Sequence, residues 1–203
     1  RLYDDVRSTA GARSLVAVEE EKVIGHALFV LRDLRMADVD VPAALVGMVV
    51  VAPDRRKRGV GGALMAATEM GARAEGALLM QIAGAIGYYS RFGYVDAYVD
   101  HQVDLPSVRG ASSFRPADTG DVDLLSTWSA EFVPDGAVVP SAARWAWLLK
   151  SRHPASLIRL NRQMLGLTVM EDQILVGRRG FVRLARGDGE GVVYEAGCQA
   201  ADG

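Results

Sequence analysis

The most informative stretch of this sequence is VVVAPDRRKRGVGGALM, residues 49–65. It runs from apolar β-branched residues through a proline and four consecutive cations into glycines, and then into an Ala/Leu/Met pattern typical of a helix. Glycines leave room for an oxyanion beside the main chain, and the amide groups at a helix N-terminus bind one. The stretch therefore predicts a strand, a tight turn and a helix that together bind a phosphate group.

The glycine spacing separates three kinds of phosphate-binding loop. A dinucleotide fold requires G-x-G-x-x-G, but Leu64 stands where the third glycine would fall. A P-loop requires G-x-x-x-x-G-K-[ST], and no glycine in this stretch is followed by lysine and then serine or threonine. The remaining pattern is R-x-x-G-x-G from Arg56 to Gly61, preceded by Val51-x-Pro53. Its glycine amides and arginines suit a pyrophosphate.

The segments on either side predict a mixed α/β fold. Residues 14–31 show two β-branched runs around the polar residues 19–22, which predicts a hairpin. Residues 44–52 are apolar at nearly every position, as in a central strand that is covered on both faces. The other expected elements are a polar loop or edge excursion at 31–42, a helix at 60–74, a strand at 77–83, a short helix carrying Tyr88 and Tyr89, and a last strand at 94–103. The order β-β-β-α-β-α-β is that of a layered α/β domain.

A linker divides the chain into two predicted domains. The Pro/Gly/Ser-containing stretch LPSVRGASSFRP lies between the last expected strand and a second region of mixed pattern. We therefore expect a first domain at residues 1–105, a linker at 106–116 and a second domain at 117–203. The chain begins with Arg1 rather than methionine, so we also expect that part of the N-terminus is missing.

The second region resembles the first in part. Residues 14–30 align without gaps with residues 166–182, with Gly25 on Gly177 and a phenylalanine four positions later in both. A glycine and a phenylalanine at fixed offsets favour a duplication over chance similarity between strands. The second copy ends at the point that matches the end of the central strand, so we expect it to be truncated there.

Composition narrows the classes of partner. The net charge is −2, with 50% hydrophobic and 24% charged residues, which is typical of a globular protein and gives no basic field toward nucleic acid or a membrane surface. The cations at 55–58 lie inside a glycine turn, which argues against a nucleic-acid patch. No apolar run approaches the roughly 20 residues of a membrane span, and no signal-peptide pattern is present. The single cysteine, Cys198, fits a cytoplasmic protein.

Three motifs resemble those of the GCN5-related N-acetyltransferases (GNATs). The acetyl-CoA motif of that family is roughly V-x-P-x-x-[RQ]-x-x-G-[IV]-[GA], and the sequence matches it at Val51, Pro53, Arg56, Gly59, Val60 and Gly61. YYSRFGY, residues 88–94, resembles the family's [FY]-Y-x-[KR]-x-G-[FY] segment, and VIGHALF, residues 23–29, resembles a bacterial subgroup with a V-G-H-x-x-F strand.

The resemblance implies a fold class and a domain arrangement. The fold would be the α/β GNAT fold, with a mixed, mostly antiparallel central sheet flanked by helices. Residues 1–105 would form the acetyl-CoA-binding domain, without its N-terminal strand or helix. Residues 117–203 would form a partial second GNAT-like domain, as in longer bacterial members of the family.

The resemblance also implies the site residues. The main chain of Val49, Val50 and Val51 would bind the pantetheine arm of acetyl-CoA. The pyrophosphate would be bound by Arg56, Lys57, Arg58, Gly59, Val60, Gly61 and Gly62. Tyr89 matches the family's general acid, which protonates the departing thiolate, whereas Tyr88 and Phe92 are expected to be core aromatics. No metal is needed.

The base that accepts the proton of the amine is open at this point. Many family members carry a glutamate on the central strand, but ALVGMVVVA has no acidic residue. His26 is the candidate on a strand, Asp33, Asp38 and Asp40 are candidates in the expected loop, and water could also serve. The expected function is acetyl transfer to a primary amine of a small molecule or peptide. The alternative is an inactive acetyl-CoA sensor, although Tyr89 favours the enzyme. A homo-oligomer is compatible with the sequence.

Overall fold

A computed structural model describes residues 11–82, 84, 87–97, 113–131, 133–150, 171–187 and 190–198. The chain divides into two compact units, of which one contains Ala10–Gln102 with Asp135–Val139 and the other contains the remaining residues. The expected linker lies mostly outside the described residues, and its last two residues, Arg115–Pro116, form a short strand. The domain boundaries expected from the sequence stay predictions.

The unit that contains the glycine-rich stretch is built on a four-stranded sheet. Its strands, in hydrogen-bonded order, are β1 (Ala12–Glu19), β2 (Lys22–Met36), β3 (Val39–Val51) and β4 (Leu79–Ile82). The first three pair antiparallel, and β4 runs parallel to β3. The predicted hairpin is confirmed, because β1 and β2 are joined by a tight turn at Glu20 and Glu21. Both residues have the positive φ, 48° and 63°, that such turns use.

The expected polar loop at residues 31–42 is wrong. β2 and β3 continue through it as a second hairpin that turns at Ala37 and Asp38. Leu34 is only 3% exposed while Asp33 beside it is exposed, as on a half-buried strand. Pairing between β2 and β3 along this segment, which the frequent charges did not indicate, makes it a hairpin rather than a loop.

A segment from far along the chain covers the outer edge of the second half of β2. Leu34 forms a β-bridge with Val138. The Arg35 amide donates to the Ala137 carbonyl over 3.0 Å. The segment Asp135–Val139 therefore satisfies main-chain groups of β2 beyond the point where pairing with β1 has ended.

A helix covers one face of this sheet. The helix expected at residues 60–74 is confirmed as α1 (Val60–Ala74), and the strand expected at 77–83 is confirmed as β4. The core cluster joins Phe29, Ala44, Val46 and Ala72, and the other buried residues of α1 are Leu64, Met65 and Thr68. Gly25 permits the close approach of the helix, since a Cβ atom there would lie 2.9 Å from Leu64 Cδ1.

The two elements expected after β4 differ from the structure. Tyr88 and Tyr89 lie in a turn rather than a helix, and only Ser90–Phe92 forms a 3₁₀ turn. Gly93 follows with a left-handed φ of 85°, a conformation that ends helices. Residues 94–97 belong to no strand, and the rest of the expected last strand lies outside the described residues.

In the other unit, the described residues form a second sheet, whose strand pairs are all antiparallel, and two α-helices. Its elements are β5 (Arg115–Pro116), α2 (Val122–Ala130), α3 (Ala142–Lys150), β6 (Glu171–Val176), β7 (Gly180–Gly187) and β8 (Glu190–Cys198). Trp145 is fully buried and meets Phe181 edge to face, with ring centroids 5.1 Å apart. Trp128 and Trp147 pack in the same cluster, so the tryptophans are packing residues, as predicted.

The ungapped alignment of the two regions is wrong in its register. It sets the β1–β2 turn at Glu20 and Glu21 against Asp172 and Gln173, which lie inside β6. The β6–β7 turn comes later, at residues 177–179. Apolar residues alternate in every half-buried strand, so a similar pattern does not determine the register. That the second unit is a partial copy of the first stays a prediction.

Candidate active site

β3 loses its parallel partner before it ends. Pairing with β4 stops at Val46 and Ile82, whereas pairing with β2 continues to Val51. Within the part of the chain that the structure describes, no strand lies beside the β4-facing edge of residues 47–51. This open edge carries main-chain groups that have no partner strand, next to the loop that leads into α1.

The three valines predicted to bind pantetheine lie along the open edge. The Ala52 amide donates to a β2 carbonyl over 2.8 Å, and the Val51 carbonyl instead accepts a hydrogen bond from Arg56 Nε at 3.2 Å. Val51 therefore directs its carbonyl away from β2, toward the glycine loop. The side chains alternate, since Val49 packs against the core and Val50 is 56% exposed.

A β-bulge marks the start of the open edge. Leu28 pairs with Gly47 and His26 pairs with Val50, so the single residue between them on β2 faces two residues on β3. One of the two, Met48, has a φ of 51°, a left-handed conformation that is unusual for a residue with a side chain. Among the residues that the structure describes, no atom lies within 4 Å of the position that a Cβ on Gly47 would take, which leaves space there beside the bulge.

His26 is bonded to the bulge through its side chain. Its Nδ1 lies 3.1 Å from the Met48 carbonyl oxygen, and its Nε2 lies 2.8 Å from Ser14 Oγ. A carbonyl only accepts, so Nδ1 carries the donated proton, and in the neutral ring Nε2 accepts from the serine hydroxyl. The tautomer is assigned from these partners. Both ring nitrogens are thus engaged, and the catalytic role of His26 stays a prediction.

The loop after β3 presents main-chain amides. Pro53–Arg55 forms a 3₁₀ turn, and Lys57 and Gly59 then adopt positive φ values of 60° and 85°. Gly59 is the N-cap of α1, and the first bond of the helix runs from the Ala63 amide to the Gly59 carbonyl. The amides of the first turn have no acceptor inside the helix, and that turn has no acidic side chain. The positive end of the helix dipole is therefore available to an anion.

The four cations of the loop have different roles. Arg55 bonds Glu19 and Asp54, and these carboxylates raise the pKa of its guanidinium, the hydrogen bond to Glu19 most of all. Arg56 holds the Val51 carbonyl. The remaining two, Lys57 and Arg58, are exposed and make no hydrogen bond or ion pair with any described residue. Of the cations predicted to bind the pyrophosphate, these two therefore have side chains that no described residue already binds.

The tyrosine segment lies against the first turn of α1. The Tyr88 hydroxyl is 3.2 Å from the position of a Cβ on Gly61, and the ring is 39% exposed beneath the Arg91 guanidinium, 4.0 Å from the centroid. The prediction that Tyr88 is a core aromatic is therefore wrong. Its place directly before the predicted acid Tyr89 could have indicated that Tyr88 lies at the candidate site, because neighbouring residues in a turn lie close together. Phe92 is half-buried and contacts Tyr88.

Tyr89 is the more buried of the two neighbouring tyrosines. Its ring meets Tyr88 and Tyr94 edge to face, with centroids 4.9 and 6.0 Å apart. Burial raises the pKa of the Tyr89 hydroxyl above its ordinary value, and the neighbouring Tyr88 raises it further. Tyr94 donates to the sulfur of Met80 over 3.7 Å, and its pKa is raised to about 12, mainly by burial. Both hydroxyls keep their protons at neutral pH.

The aspartates considered as bases are not near the open edge. Asp38 lies in the β2–β3 turn, and Asp40 follows at the start of β3, paired with Arg35 at 2.6 Å. Ten residues separate Asp40 from Val50, which corresponds to about 30 Å along an extended strand. Asp33 lies near the same end, opposite Pro42. Sequence proximity to the central strand did not indicate which end of the hairpin these residues occupy.

The described residues contain no group of three or more histidine, cysteine, aspartate or glutamate side chains that could hold a metal ion. None of their helices is both long and apolar enough to cross a membrane.

Comparison with known proteins shows what part of this chain is similar to. Residues 3–96, a little under half of the chain, match the family model described as an acetyltransferase (GNAT) domain. No curated protein sequence matches the chain. The matched residues include β1 to β4, α1 and the tyrosine segment, and end before β5.

Two solved structures resemble the chain over 93% of its length. A GCN5-related N-acetyltransferase from Kribbella flavida is 18% identical, with a TM-score of 0.62 and 47% of its own chain covered. Eis1 from Mycobacterium abscessus is 18% identical, with a TM-score of 0.57 and 50% of its chain covered. The chain spans about half the length of each. The predicted fold class is confirmed as the α/β GNAT fold, and the V-G-H-x-x-F subgroup stays a prediction.

Proposed function

We propose that this chain is an N-acetyltransferase that moves the acetyl group of acetyl-CoA to a primary amine by direct attack in a ternary complex. The observation that carries the proposal is the continuity between two features. The open edge of β3 at residues 47–51 leads directly into the glycine loop and the uncapped N-terminus of α1. The match of residues 3–96 to an acetyltransferase domain supports acyl transfer as the class of reaction.

The loop residues fit the pyrophosphate of coenzyme A. Gly59 combines a φ of 85° with open space where a side chain would begin. A Cβ on Gly61 would meet the Tyr88 hydroxyl at 3.2 Å, so glycine keeps this part of the cradle free. The amides of the first turn would bind phosphate oxygens, and Lys57 and Arg58 would add charge. When bound, acetyl-CoA supplies the activated acetyl group as a thioester.

Tyr89 is the proposed general acid. Its raised pKa keeps the hydroxyl protonated at neutral pH, so Oη holds the proton that a leaving sulfur needs. The same shift makes the proton transfer more uphill than it would be from an ordinary phenol. The hydroxyl should therefore speed the reaction without being indispensable to it.

No described side chain is a clear base for the amine. Asp33, Asp38 and Asp40 lie at the far end of the β2–β3 hairpin. The two ring nitrogens of His26 bond Ser14 and Met48. We infer that the amine arrives neutral or loses its proton to water.

The second candidate function is that of an acetyl-CoA sensor without turnover. The observation in its favour is that β3 carries no carboxylate along its open edge at residues 47–51. The two functions share the same cofactor site and differ in whether Tyr89 has a chemical role. Turnover with an amine distinguishes them.

The proposal extends to partners in general terms. A small-molecule or peptide amine is the acceptor, and neither nucleic acid nor a membrane is a partner, since the net charge of −2 provides no basic surface field. The protein is proposed to act in the cytoplasm, and a homo-oligomer is compatible with this function. The second unit is proposed to be a partial GNAT-like domain.

Calorimetry with acetyl-CoA tests the cofactor site. Gly61→Glu puts a side chain and a negative charge at the first turn of α1, whereas Ala66→Glu adds the same charge at an exposed position further along the helix. We expect binding to the wild-type chain, loss of binding in Gly61→Glu and retention in Ala66→Glu. Absence of binding by a folded wild-type chain would contradict the proposal.

An amine panel, followed by release of the coenzyme A thiol, then separates the two functions. Turnover with any amine, together with a slower rate in Tyr89→Phe, supports the enzyme. Binding without turnover across small amines, peptide N-termini and lysine side chains supports the sensor.

A further inference from the structure

The bulge in β3 has an anchor outside its own strand. Met48 carries the left-handed φ of 51° at the point where pairing with β4 has just ended. A residue with a side chain adopts this conformation at an energetic cost and keeps it only where its surroundings enforce it. The group on β2 that contacts the bulge is His26, whose Nδ1 donates to the Met48 carbonyl at 3.1 Å.

The histidine ring is itself held in place from the other side. Ser14 on β1 lies 2.8 Å from Nε2, so the ring is bonded between two strands. A serine hydroxyl that donates to Nε2 also fixes the tautomer in which Nδ1 carries the proton. The chain of contacts runs from β1 through the imidazole on β2 to the main chain of β3, and so joins three neighbouring strands of the sheet.

The position of the bulge links this chain of contacts to chemistry. A bulge changes the direction in which the following main-chain groups point. Here it lies at the start of the open edge, where Gly47 leaves space for a ligand. A main-chain amide directed at a carbonyl oxygen stabilises the negative charge that develops there during acyl transfer. The carbonyl of a thioester bound along this edge would therefore depend on how the bulge is held.

We infer that His26 is a positioning residue for the acyl group, which holds the Met48 bulge so that the main chain of β3 polarises the thioester carbonyl. The inference rests on the proposed function. In this role His26 does not accept the proton of the amine. It holds the main chain that stabilises the transition state. It also gives Ser14, which no sequence motif marked, a part in the same arrangement.

Two near-isosteric substitutions of His26 distinguish the role of Nδ1 from that of Nε2. Asparagine places its amide nitrogen where Nδ1 lies, and so retains a donor to the Met48 carbonyl. Glutamine places its amide group where Nε2 lies, and so retains a partner for Ser14 but loses the donor to the bulge. His26→Asn and His26→Gln are therefore matched variants, and Val16→Thr, at the exposed position paired with His26 on β1, is the control for surface change.

The quantities to measure are the dissociation constant of coenzyme A, kcat with the best amine of the panel, and the thermal midpoint. For His26→Gln we expect kcat to fall about 100-fold, the loss that a misplaced group in an active site causes. Its coenzyme A affinity should stay within roughly twofold of the wild-type value, since free coenzyme A has no acyl carbonyl. Ser14→Ala should lose roughly fivefold, as one hydrogen bond is removed, and His26→Asn, which loses the same hydrogen bond but keeps the donor to Met48, should lose about as much. Val16→Thr should keep kcat near that of the wild type.

The outcomes against the inference are distinct. An active enzyme in which His26→Asn loses as much kcat as His26→Gln would overturn it, because the donor at Nδ1 would not be the feature that matters. Unchanged kcat in His26→Gln would do the same, as would a parallel loss of kcat, coenzyme A affinity and thermal midpoint. A folded wild-type chain that binds no coenzyme A, or that acetylates no amine, overturns the proposed function first, and this inference with it.

Discussion

The hydroxyl of Tyr88 lies 3.2 Å from the position that a Cβ atom on Gly61 would take. The turn after β4 is thereby brought against the first turn of α1, where main-chain amides lack acceptors. Arg91 stacks over the same tyrosine ring at 4.0 Å. A side chain at position 61 would require the hydroxyl to shift by a few tenths of an ångström and would narrow the space for an anion on the amides.

Gly61→Ala should weaken acetyl-CoA binding without weakening the fold. Alanine favours the helix over glycine by about 1 kcal/mol, so the free energy of unfolding should stay level or rise. The added methyl group must displace the Tyr88 hydroxyl and crowd a phosphate on the first turn. We expect affinity to fall roughly tenfold to 100-fold, the equivalent of one hydrogen bond to a charged group. Calorimetry and urea unfolding measure the two effects.

Gly62→Ala is the matched control for that experiment. A Cβ there would lie 3.8 Å from Phe92 Cε1, an ordinary contact, so it adds the same helix preference without touching Tyr88. Combining Gly61→Ala with Tyr88→Phe should restore part of the lost affinity. An equal loss in both glycine variants would show that the Tyr88 contact is not the cause.

Tyr89→Phe should lower kcat about 10²- to 10⁴-fold, the usual contribution of a general acid, and leave acetyl-CoA affinity unchanged. The raised pKa of Tyr89 has a second consequence for the wild-type enzyme. An acid works while it is protonated, so the fall of kcat at alkaline pH should begin above the ordinary phenol value of about 10. A pH profile of kcat measures this, with Tyr94→Phe as the control that keeps the acid. A fall centred below that value would assign the alkaline limb to another group.

Tyr94 should make stability depend on alkaline pH. Its pKa is about 12 in the folded chain and about 10 in an unfolded one. Between these values the folded state binds more protons than the unfolded state, so its contribution is complete below about pH 10 and is lost as pH rises toward 12. The ring is half-buried, and solvent screening reduces the effect.

The measurement for Tyr94 is the urea midpoint of the wild type and of Tyr94→Phe at about pH 9 and about pH 11. The variant should lose less stability between the two pH values, since every other titrating group is common to both proteins. Identical losses would place the source of the alkaline instability elsewhere in the chain.

Gly25→Ala should destabilise the sheet–helix contact. A Cβ at this position would come within 2.9 Å of Leu64 Cδ1 and 3.2 Å of the Val50 carbonyl oxygen, and the latter cannot rotate away. We expect a loss of about 1–3 kcal/mol in the free energy of unfolding, as for other overpacked cores. Gly47→Ala, where no described atom lies within 4 Å of the new Cβ, should cost less stability. It should reduce acetyl-CoA affinity, because the added methyl group lies at the open edge where the ligand would bind. Urea unfolding of both variants compares the losses of stability, and calorimetry measures the affinity.

Much of the first unit could be predicted because its elements carry local signals. The β1–β2 hairpin, the helix from Val60 to Ala74 and the strand after it all have their own pattern of apolar residues or of turn residues. The glycine loop was predicted from backbone requirements at Gly59 and Gly61, which hold whatever the rest of the chain does. These features depend on residues close together in sequence.

The parts that sequence reasoning missed depend on distant residues. Residues 31–42 were expected to be a loop because their charges are frequent, but burial of Leu34 by the sheet and its bridge to Val138 make them strands. The bulge at Met48 has no residue signal of its own, since its anchor is His26 on another strand. The site of Tyr88 follows from the packing of a turn against α1. Tertiary contacts determine each of these, and periodicity does not report them.

The bridge between Leu34 and Val138 also bears on how the first unit folds and where it can be cut. The two residues are about 100 positions apart, so joining them closes a long loop at an entropic cost that local hairpins do not have. We expect this edge to be among the last parts of the sheet to form. A fragment that ends before Asp135 would leave the edge of β2 bare, and a bare edge recruits strands from other molecules. The smallest fragment of this unit that stays monomeric should therefore extend past Val139.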